Sequence, residues 1–398
     1  MKKFLRFPLL MMASLMLVLS ISSCKDDDPI GYSELDPAKT LTIKRYVDNV
    51  VVATYKAMAD ESMHLYEACV ALMENPTQTN IDKACAEWVS TRIYWEQSEA
   101  FLFGPAADYN IDPHIDSWPL DKALLDQALN NTILINNMKE SGCNFDGFAT
   151  LGYGLRGFHT VEYMLFRDGG PRNVNGGTDQ DGITYGALSE NELAYCAAVA
   201  EDLRNQCIRL EASWAGMDNI SAEKSDILEK TELEPTSNYG EIMVLAGERG
   251  NALYKTQIAA YVQILQGASD ITDEVGNTKI TDPVNSGNVL DVESWYSWNS
   301  IDDFTDNIRS VRNVYFGNTF SSDASASAHA SSVSAYVRSL SSTLDDEIKA
   351  AINKAMEEVS GMPAPFRNNL TENATDDAIA ACNALLVKLD AAIELIQR

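Results

Sequence analysis

The sequence has few histidines, few basic residues and, beyond its N-terminal segment, no long apolar run. It contains 398 residues and four histidines, a number that argues against a three-histidine zinc site. It has no HExxH zinc motif, no GxSxG nucleophile motif and no glycine-rich phosphate loop. The 30 basic residues are outnumbered by 58 acidic residues, for a formal net charge of −28, which argues against nucleic acid as a partner.

Cysteine is also sparse and is not arranged for a compact metal site. The chain has seven cysteines, and no two of them form a CxxC pair. Most lie within helical patterns, where a cysteine is a small apolar residue. A disulfide is compatible with an extracytoplasmic location, but the sequence does not indicate a pairing. The cysteines beyond the N-terminal segment are Cys69, Cys85, Cys143, Cys196, Cys207 and Cys382.

The N-terminal segment predicts export and anchoring. Residues 1–23 combine three basic residues with an apolar run, as a secretory signal peptide does. The following ISSC resembles a bacterial lipobox, which predicts that Cys24 is lipidated and anchors the chain in outer-membrane lipid. The next residues, KDDD, resemble the export signal of surface-displayed lipoproteins. Residues 24–36 are predicted to be a flexible tether, and the alternative is that KDDD is only its solvated start, on the periplasmic face.

The rest of the chain predicts an all-α protein of two helical bundles packed against each other. Long stretches show the helical period and almost none alternate as strands do. The Gly-, Asn- and Asp-rich stretch RDGGPRNVNGGTDQDGITYG indicates a boundary between domains 37–183 and 184–398. The segment DITDEVGNTKITDPVNSGN is predicted to be a long loop. The predicted helices include roughly 80–103, 189–214, 237–266, 299–316, 328–359 and 374–397.

A histidine and a glutamate interrupt the apolar face of one helix. In LRGFHTVEYMLF, His159 and Glu162 point in the same direction as Leu155, Phe158 and Leu165. A buried carboxylate without a partner costs several kcal/mol, so Glu162 needs one. A hydrogen bond between His159 and Glu162 would serve structure alone. A neutral imidazole and a carboxylate three residues apart can also bind one metal ion.

The helix predicted over 80–103 carries further charged residues on its apolar face. Arg92 and Glu99 lie on that face, and Glu96 lies at its edge. An internal ion pair between Arg92 and either glutamate is one interpretation. The other is that Glu99 and Glu96 join His159 and Glu162 as metal ligands, with Arg92 as a neighbour.

The remaining histidines are weaker candidates. Glu61 and His64 are spaced as a ligand pair, but His64 lies well away from the apolar side of its helix, so a solvated face is expected. His114 lies in a proline-containing connection, where it could contribute to the site. His329 lies in a Ser- and Ala-rich segment and is predicted to be exposed.

These residues resemble those of a known family. GFHTVE, residues 157–162, matches the GxHxxE motif of the imelysin-like proteins, also called the M75 peptidase family. The resemblance extends to WEQSEAFLFGP at 95–105, IDSWPLD at 115–121 and SWNSIDDFTDNIRSVRNVYFG at 297–317. It implies an all-α fold of two helical bundles with a site near their junction. It also implies that Gly157 and Ser98 lie beside that site.

The resemblance implies an iron-regulated extracytoplasmic protein. The first hypothesis is therefore an envelope-anchored lipoprotein that binds a metal cation, Fe²⁺ or Fe³⁺, in iron uptake or homeostasis. Its partners would be a metal ion or a metal chelate and a transport component of the envelope. Carboxylates with one imidazole suit iron or manganese better than a thiolate-preferring metal.

Two other functions stay open at this stage. One is a metallopeptidase in which HxxE holds zinc and Glu99 or Glu96 acts as general base. The other is a binding module for a non-metal ligand or an envelope partner, because the loop DVESWYSWNSIDDF is rich in aromatic residues. Whether that loop borders His159 would distinguish a role at the site from a role elsewhere.

Overall fold

The structure is a computed structural model that describes residues 35–398. The predicted signal peptide, Cys24 and most of the tether lie outside the described residues. Export, lipidation and outer-membrane anchoring therefore stay predictions. None of the helices in residues 35–398 combines the length and the hydropathy that a membrane span requires.

The described part of the chain is mainly α-helical, which confirms the predicted fold class. Two tiny antiparallel hairpins, β1 (Phe166–Arg167) with β2 (Gly170–Pro171) and β3 (Gly177–Thr178) with β4 (Thr184–Tyr185), occupy the Gly-rich stretch. The helices are α1 (Pro37–Tyr46), α2 (Val52–Glu74), α3 (Gln78–Glu96), α4 (Pro105–Asp108), α5 (Ile111–Ile115), α6 (Lys122–Leu129), α7 (Thr132–Ser141), α8 (Asp146–Ala149), α9 (Phe158–Leu165), α10 (Glu190–Ala215), α11 (Ala222–Thr231), α12 (Tyr239–Val244), α13 (Gln257–Glu274), α14 (Thr281–Ser286), α15 (Ser300–Phe316), α16 (Val333–Leu340), α17 (Ser342–Ser360) and α18 (Glu372–Ile396).

Several helices begin at the residues that capping chemistry favours. Asp36 accepts a hydrogen bond from the backbone of Ala38, and Pro37 occupies the first turn of α1. Ser189 and Glu192 form a reciprocal capping box at the start of α10. Because these caps satisfy otherwise unpaired N–H groups, they fix where each helix starts.

The long helices pack in two groups. In the first group α2 contacts α3 and α10, and α9 packs between α3 and α10. In the second, α18 contacts α13 and α17, and α15 contacts α13 and α17. The groups meet where α3 contacts α15 and where the turn Glu99–Phe101 contacts α13. Helix α10 follows the boundary predicted at residue 183 and packs along α2. That boundary stays a prediction.

One glycine permits the close contact between the two groups. A Cβ atom on Gly267 of α13 would lie 2.2 Å from the carbonyl oxygen of Ala100. Any larger residue would push the turn Glu99–Phe101 away from α13. Gly267 therefore sets how near the acidic end of α3 comes to the second group.

The structure corrects three predicted helix boundaries. The predicted loop Asp270–Asn288 is mostly helical, because a π-helical segment, Val275–Ile280, carries the chain from α13 into α14. The helix predicted over 237–266 is interrupted after Val244, where Asn251 donates to the carbonyls of Ile242 and Leu245. The helix predicted over 328–359 breaks at Ser341, which caps α17.

The predicted helix 80–103 also ends earlier than expected. Helix α3 ends at Glu96, and the hydroxyl of Ser98 donates to the Trp95 carbonyl, 2.7 Å away. The chain then forms the turn Glu99–Phe101. Glu99 is therefore displayed from a turn and Glu96 from the last position of a helix, and both face the junction of the two groups.

Candidate functional site

Gly157 brings two distant segments together at the start of α9. Its φ angle is 79°, in the left-handed region, and a Cβ atom there would lie 2.1 Å from the carbonyl oxygen of Ile115. Only glycine fits both constraints. Because Asp116 follows Ile115 and His159 lies two residues after Gly157, this contact places the aspartate beside the histidine.

Glu162 holds His159 in one orientation. Nδ1 of His159 lies 3.1 Å from Oε2 of Glu162. The other carboxylate oxygen accepts from the backbone N–H groups of Tyr296 and Ser297, at 3.1 and 2.8 Å, and from the Ser297 hydroxyl at 2.8 Å. Glu162 is fully buried. Both of its oxygens are thus engaged, which suits a carboxylate that positions the imidazole.

The opposite edge of the imidazole faces Asp116. Nε2 of His159 lies 3.1 Å from Oδ1 of Asp116 but has no partner in hydrogen-bond geometry. Trp95 Nε1 donates to the other oxygen of Asp116 at 2.6 Å. Ligand atoms of His159, Asp116 and Glu293 all lie within 4.8 Å of one another. This group can hold one cation with an imidazole nitrogen and two carboxylate oxygens.

Arg92 links the acidic residues around this group. It is fully buried in α3, and one of its nitrogens lies 2.6 Å from both Glu96 and Glu293. The guanidinium also pairs with Asp116 and lies 3.6 Å from Asp303 of α15. A single guanidinium therefore faces four carboxylates.

Lys279 provides a second buried cation, from the π-helical segment. Its ammonium lies 3.1 Å from Glu293, 3.8 Å from Glu99 and 3.9 Å from Glu96. Oxygens of Glu96, Glu99 and Asp116 form a second group within 4.8 Å of one another. The two potential ligand groups share Asp116, so they are parts of one site.

Acidic residues outnumber basic ones in this interior. Burial raises the pKa of Asp112 and of Asp303 to about 7, and neighbouring carboxylates add to the shift. Burial opposes the charged form of His159, but the Asp116 and Glu162 carboxylates outweigh it and raise the pKa of His159 to about 9. Within residues 35–398, Arg92, Lys279 and His159 face Glu162 and six further buried or half-buried carboxyl groups, and we call these six the acidic cluster. They are Glu96, Glu99, Asp112, Asp116, Glu293 and Asp303.

The structure brings the residues predicted from sequence into one buried region. The C-terminal end of α3 and the N-terminal end of α9 meet there. The predicted residues that lie in or against the acidic cluster are Arg92, Glu96, Glu99, His159 and Glu162. Their role as metal ligands stays a prediction. Glu162 lies on the far side of the imidazole from Asp116, and the ion pair between Arg92 and Glu96 is present as well.

The other predicted neighbours are also accounted for. Gly157 shapes the site through the backbone, and Ser98 follows the end of α3 with its hydroxyl donating to the Trp95 carbonyl. His114 pairs with Asp202 at 2.7 Å and so lies outside the ligand groups. His64 and His329 are exposed.

Sequence reasoning missed Asp116, Glu293 and Lys279. Asp116 lies within IDSWPLD and Glu293 within DVESWYSWNSIDDF, two segments already marked as unusual, but neither has a helical period that could orient it. Lys279 lies in the stretch predicted to be a loop. The aromatic loop does border His159, because Tyr296 and Ser297 donate to Glu162 and Glu293 contacts Arg92.

Comparison with known proteins relates this chain to one family. The model of the Imelysin family, Peptidase M75, matches residues 51–392. Iron-regulated protein A of Synechococcus elongatus is 29% identical over 276 residues, which cover 69% of this chain and 64% of that protein. The match thus spans less than two thirds of that relative.

Two solved structures extend the comparison. The crystal structure of a Parabacteroides distasonis protein assigned as an iron-regulated protein A precursor is 31% identical, with a TM-score of 0.75, over 92% of this chain and 97% of that one. An imelysin-like protein from Psychrobacter arcticum shares the fold alone, at 14% identity and a TM-score of 0.55, over 91% and 94% of the two chains.

Proposed function

Because this chain belongs to the imelysin family, we propose that it binds an iron cation in the acidic cluster, in iron uptake or homeostasis at the cell envelope. Two of the similar proteins are named for their regulation by iron. The lipobox-like ISSC at Cys24 supports an anchor in outer-membrane lipid, and the net charge of −28 favours cations near the protein.

The excess of buried carboxylates is the observation that carries the proposal. Arg92 and Lys279 do not neutralise the acidic cluster, and burial holds the pKa of Glu96 and Glu99 well above the usual range for a glutamate. Buried charges are stable when they are paired or bind a metal. A further cation in the cluster would allow more of these groups to ionise. Binding of a cation is therefore favourable there.

The donor set suits iron. Among the described residues, buried His159 Nε2 has Asp116 Oδ1 3.1 Å away but no acceptor in hydrogen-bond geometry, and carboxylate oxygens of Asp116 and Glu293 lie within 4.8 Å of it. Oxygen donors with one imidazole suit Fe²⁺, Fe³⁺ and Mn²⁺. Glu162 would act from behind the imidazole, as outer-shell carboxylates commonly do for metal-binding histidines. The cation here is cargo, and an envelope transport component would be the partner that supplies or receives it.

The peptidase hypothesis gains no support from the position of Glu162. That hypothesis needs His159 and Glu162 to hold one zinc ion together. Glu162 instead accepts three hydrogen bonds on one oxygen and faces Nδ1 of His159 with the other. A cation-binding role uses Nε2, which faces Asp116, and the incoming cation displaces the proton that the raised pKa of His159 keeps on the ring at neutral pH.

Calorimetry with Fe²⁺ under anaerobic conditions, together with elemental analysis, tests the proposal on the purified protein. We expect about one equivalent of iron for the natural sequence. His159→Gln and Glu293→Gln should each weaken binding at least tenfold, and His64→Gln should leave it unchanged. Circular dichroism checks that each variant is folded. If the natural sequence binds no iron, or if folded His159→Gln binds it equally well, the proposal is wrong.

A further inference from the structure

A cavity of about 720 Å³ lies next to the acidic cluster. Its walls include Trp118, Tyr163, Trp295 and Tyr296. The Trp118 ring lies 4.8 Å from the His159 ring, measured between centroids, and so separates the cavity from the cluster. This volume is within the range of small-molecule sites, which are mostly apolar with a few polar groups that fix orientation.

Aromatic rings on the cavity wall pack against each other in pairs. The rings of Trp295 and Tyr296 lie 4.1 Å apart at an angle of 34°, and the rings of Tyr163 and Tyr296 lie 5.1 Å apart, edge to face. Planar molecules pack well against such rings, because aromatic pairs favour offset and edge-to-face arrangements. The walls therefore favour a ligand with an aromatic ring.

Arg167 adds an unbalanced positive charge to these walls. Its guanidinium lies 4.4 Å from the Tyr163 ring, 5.3 Å from the Tyr185 ring and 5.5 Å from the Tyr296 ring. It donates to the backbone carbonyls of Tyr163 and Phe166. No carboxylate within residues 35–398 forms an ion pair with it.

The acidic side chains on the cavity wall already have other partners. Glu192 pairs with Arg172, and Asp181 pairs with Arg367. Asp291 accepts from Ser286 and Asn288, and Asp179 accepts from backbone N–H groups of the β3–β4 hairpin. Among residues 35–398, none of these four carboxylates forms an ion pair with Arg167.

A second arginine lines the cavity and is almost fully buried. Arg172 is 2% exposed and lines the cavity, and its Nε atom has no hydrogen-bond acceptor. Lys122 also lines the cavity but pairs with Asp126. Because Arg172 pairs with Glu192 and Lys122 with Asp126, Arg167 is the basic residue of the wall that has no ion-pair partner among the described residues. Such a site selects a negatively charged ligand over a neutral one of the same shape.

We propose that this cavity binds a planar aromatic carboxylate, with its ring against Trp295 and Tyr296 and its carboxylate on Arg167. The guanidinium can donate two parallel hydrogen bonds to a carboxylate, which gives direction as well as charge. The inference does not rest on cation binding, because its ligand contacts the cavity wall and not the acidic cluster.

Calorimetry with 2-naphthoate and with its neutral isostere 2-naphthamide tests this inference on the purified protein without added metal. We expect 2-naphthoate to bind at least tenfold more tightly, the effect typical of a charge-assisted hydrogen bond. Arg167→Gln should remove that preference, and Arg167→Lys should keep part of it. Arg309→Gln, at a residue that does not line this cavity, is the control and should change nothing.

Two further results separate this inference from the proposed function. His159→Gln should bind 2-naphthoate as the natural sequence does while it loses Fe²⁺, and Arg167→Gln should do the reverse. If Arg167→Gln does not fold, the ratio of the two affinities in the natural sequence decides the matter. Equal affinity for the acid and the amide, or binding of neither, overturns the inference.

Discussion

Two pairs of histidine and glutamate, each three residues apart on a helix, occupy opposite environments in this protein. In α2, His64 Nδ1 lies 3.3 Å from Glu61 Oε2, and the two side chains are 57% and 30% exposed. In α9, His159 Nδ1 lies 3.1 Å from Glu162 Oε2, and the two side chains are 1% and 0% exposed. Each pair has further carboxylates nearby, Glu87 in the first case and the acidic cluster in the second.

The comparison teaches that spacing alone does not make a binding site. Water satisfies the exposed pair on α2 and screens its charges. Around the pair on α9 the cationic partners of the carboxylates are two basic side chains and the imidazole, and neutral donors such as Trp95 and Ser297 supply the remaining hydrogen bonds. The same spacing therefore has little electrostatic effect on the surface. In the interior, by contrast, a positive charge strongly stabilises the carboxylates.

Removal of Arg92 should have the largest effect on stability. It would show whether the interior carboxyl groups are ionised. Arg92→Met leaves Asp116, Glu96 and Glu293 without their main partner, so we expect a loss of about 3–5 kcal/mol in the free energy of unfolding. Lys56→Met breaks an exposed pair with Asp60 and should cost less than about 1 kcal/mol. Urea denaturation measures both. Equal small losses would mean that the interior acids are neutral without Arg92.

A change of pH should have the next largest effect on stability. Between the ordinary pKa of an aspartate and about 7, Asp112 and Asp303 keep protons in the folded chain but lose them in the unfolded chain. Between 6.5 and about 9, His159 does the same. The folded state binds more protons in both windows, so stability should fall by a few kcal/mol as pH rises from 4 to 9.

Urea denaturation in the presence of a chelator measures this trend. Asp112→Asn should flatten the lower part of the curve, and His159→Gln should flatten the upper part. Asp82→Asn, on the solvent side of α3, is the control. A stability that is constant or rises between pH 5 and 9 would contradict the assigned shifts.

The sequence allowed prediction of the fold class and of half of the site, for a physical reason. Helical periodicity orients residues on a helix, and it correctly put His159, Glu162 and Arg92 on buried faces. Asp116 and Glu293 lie in irregular segments, where no period exists. Arg92 and Glu293 are 201 positions apart, and only the packing of the two helix groups joins them. Lys279 was missed because Gly276 and Asn277 suggest a loop, whereas the chain forms a π-helical segment there.

Substitution of the glutamate in each pair should also distinguish the buried pair from the exposed one. If Glu162 positions the imidazole, Glu162→Gln should reduce Fe²⁺ affinity about 10- to 100-fold, the range found for outer-shell partners of metal ligands. Glu61→Gln on α2 should leave iron affinity unchanged. Calorimetry measures both, and a thermal melt in the absence of metal checks the fold. Unchanged affinity in folded Glu162→Gln would assign this glutamate to structure alone.

The smallest effect, and the one of opposite sign, should come from Lys279. Its ammonium lies among Glu293, Glu99 and Glu96, so it repels any cation that enters the acidic cluster. Lys279→Met keeps most of the side-chain volume and removes the charge, and we expect Fe²⁺ affinity to rise about tenfold. Lys388→Met, which breaks an exposed pair with Glu347, should not change it. Because the other substitutions weaken binding, a gain at Lys279 could not result from general damage to the fold. A loss of affinity in folded Lys279→Met would instead mean that the lysine holds the carboxylates in place for the cation.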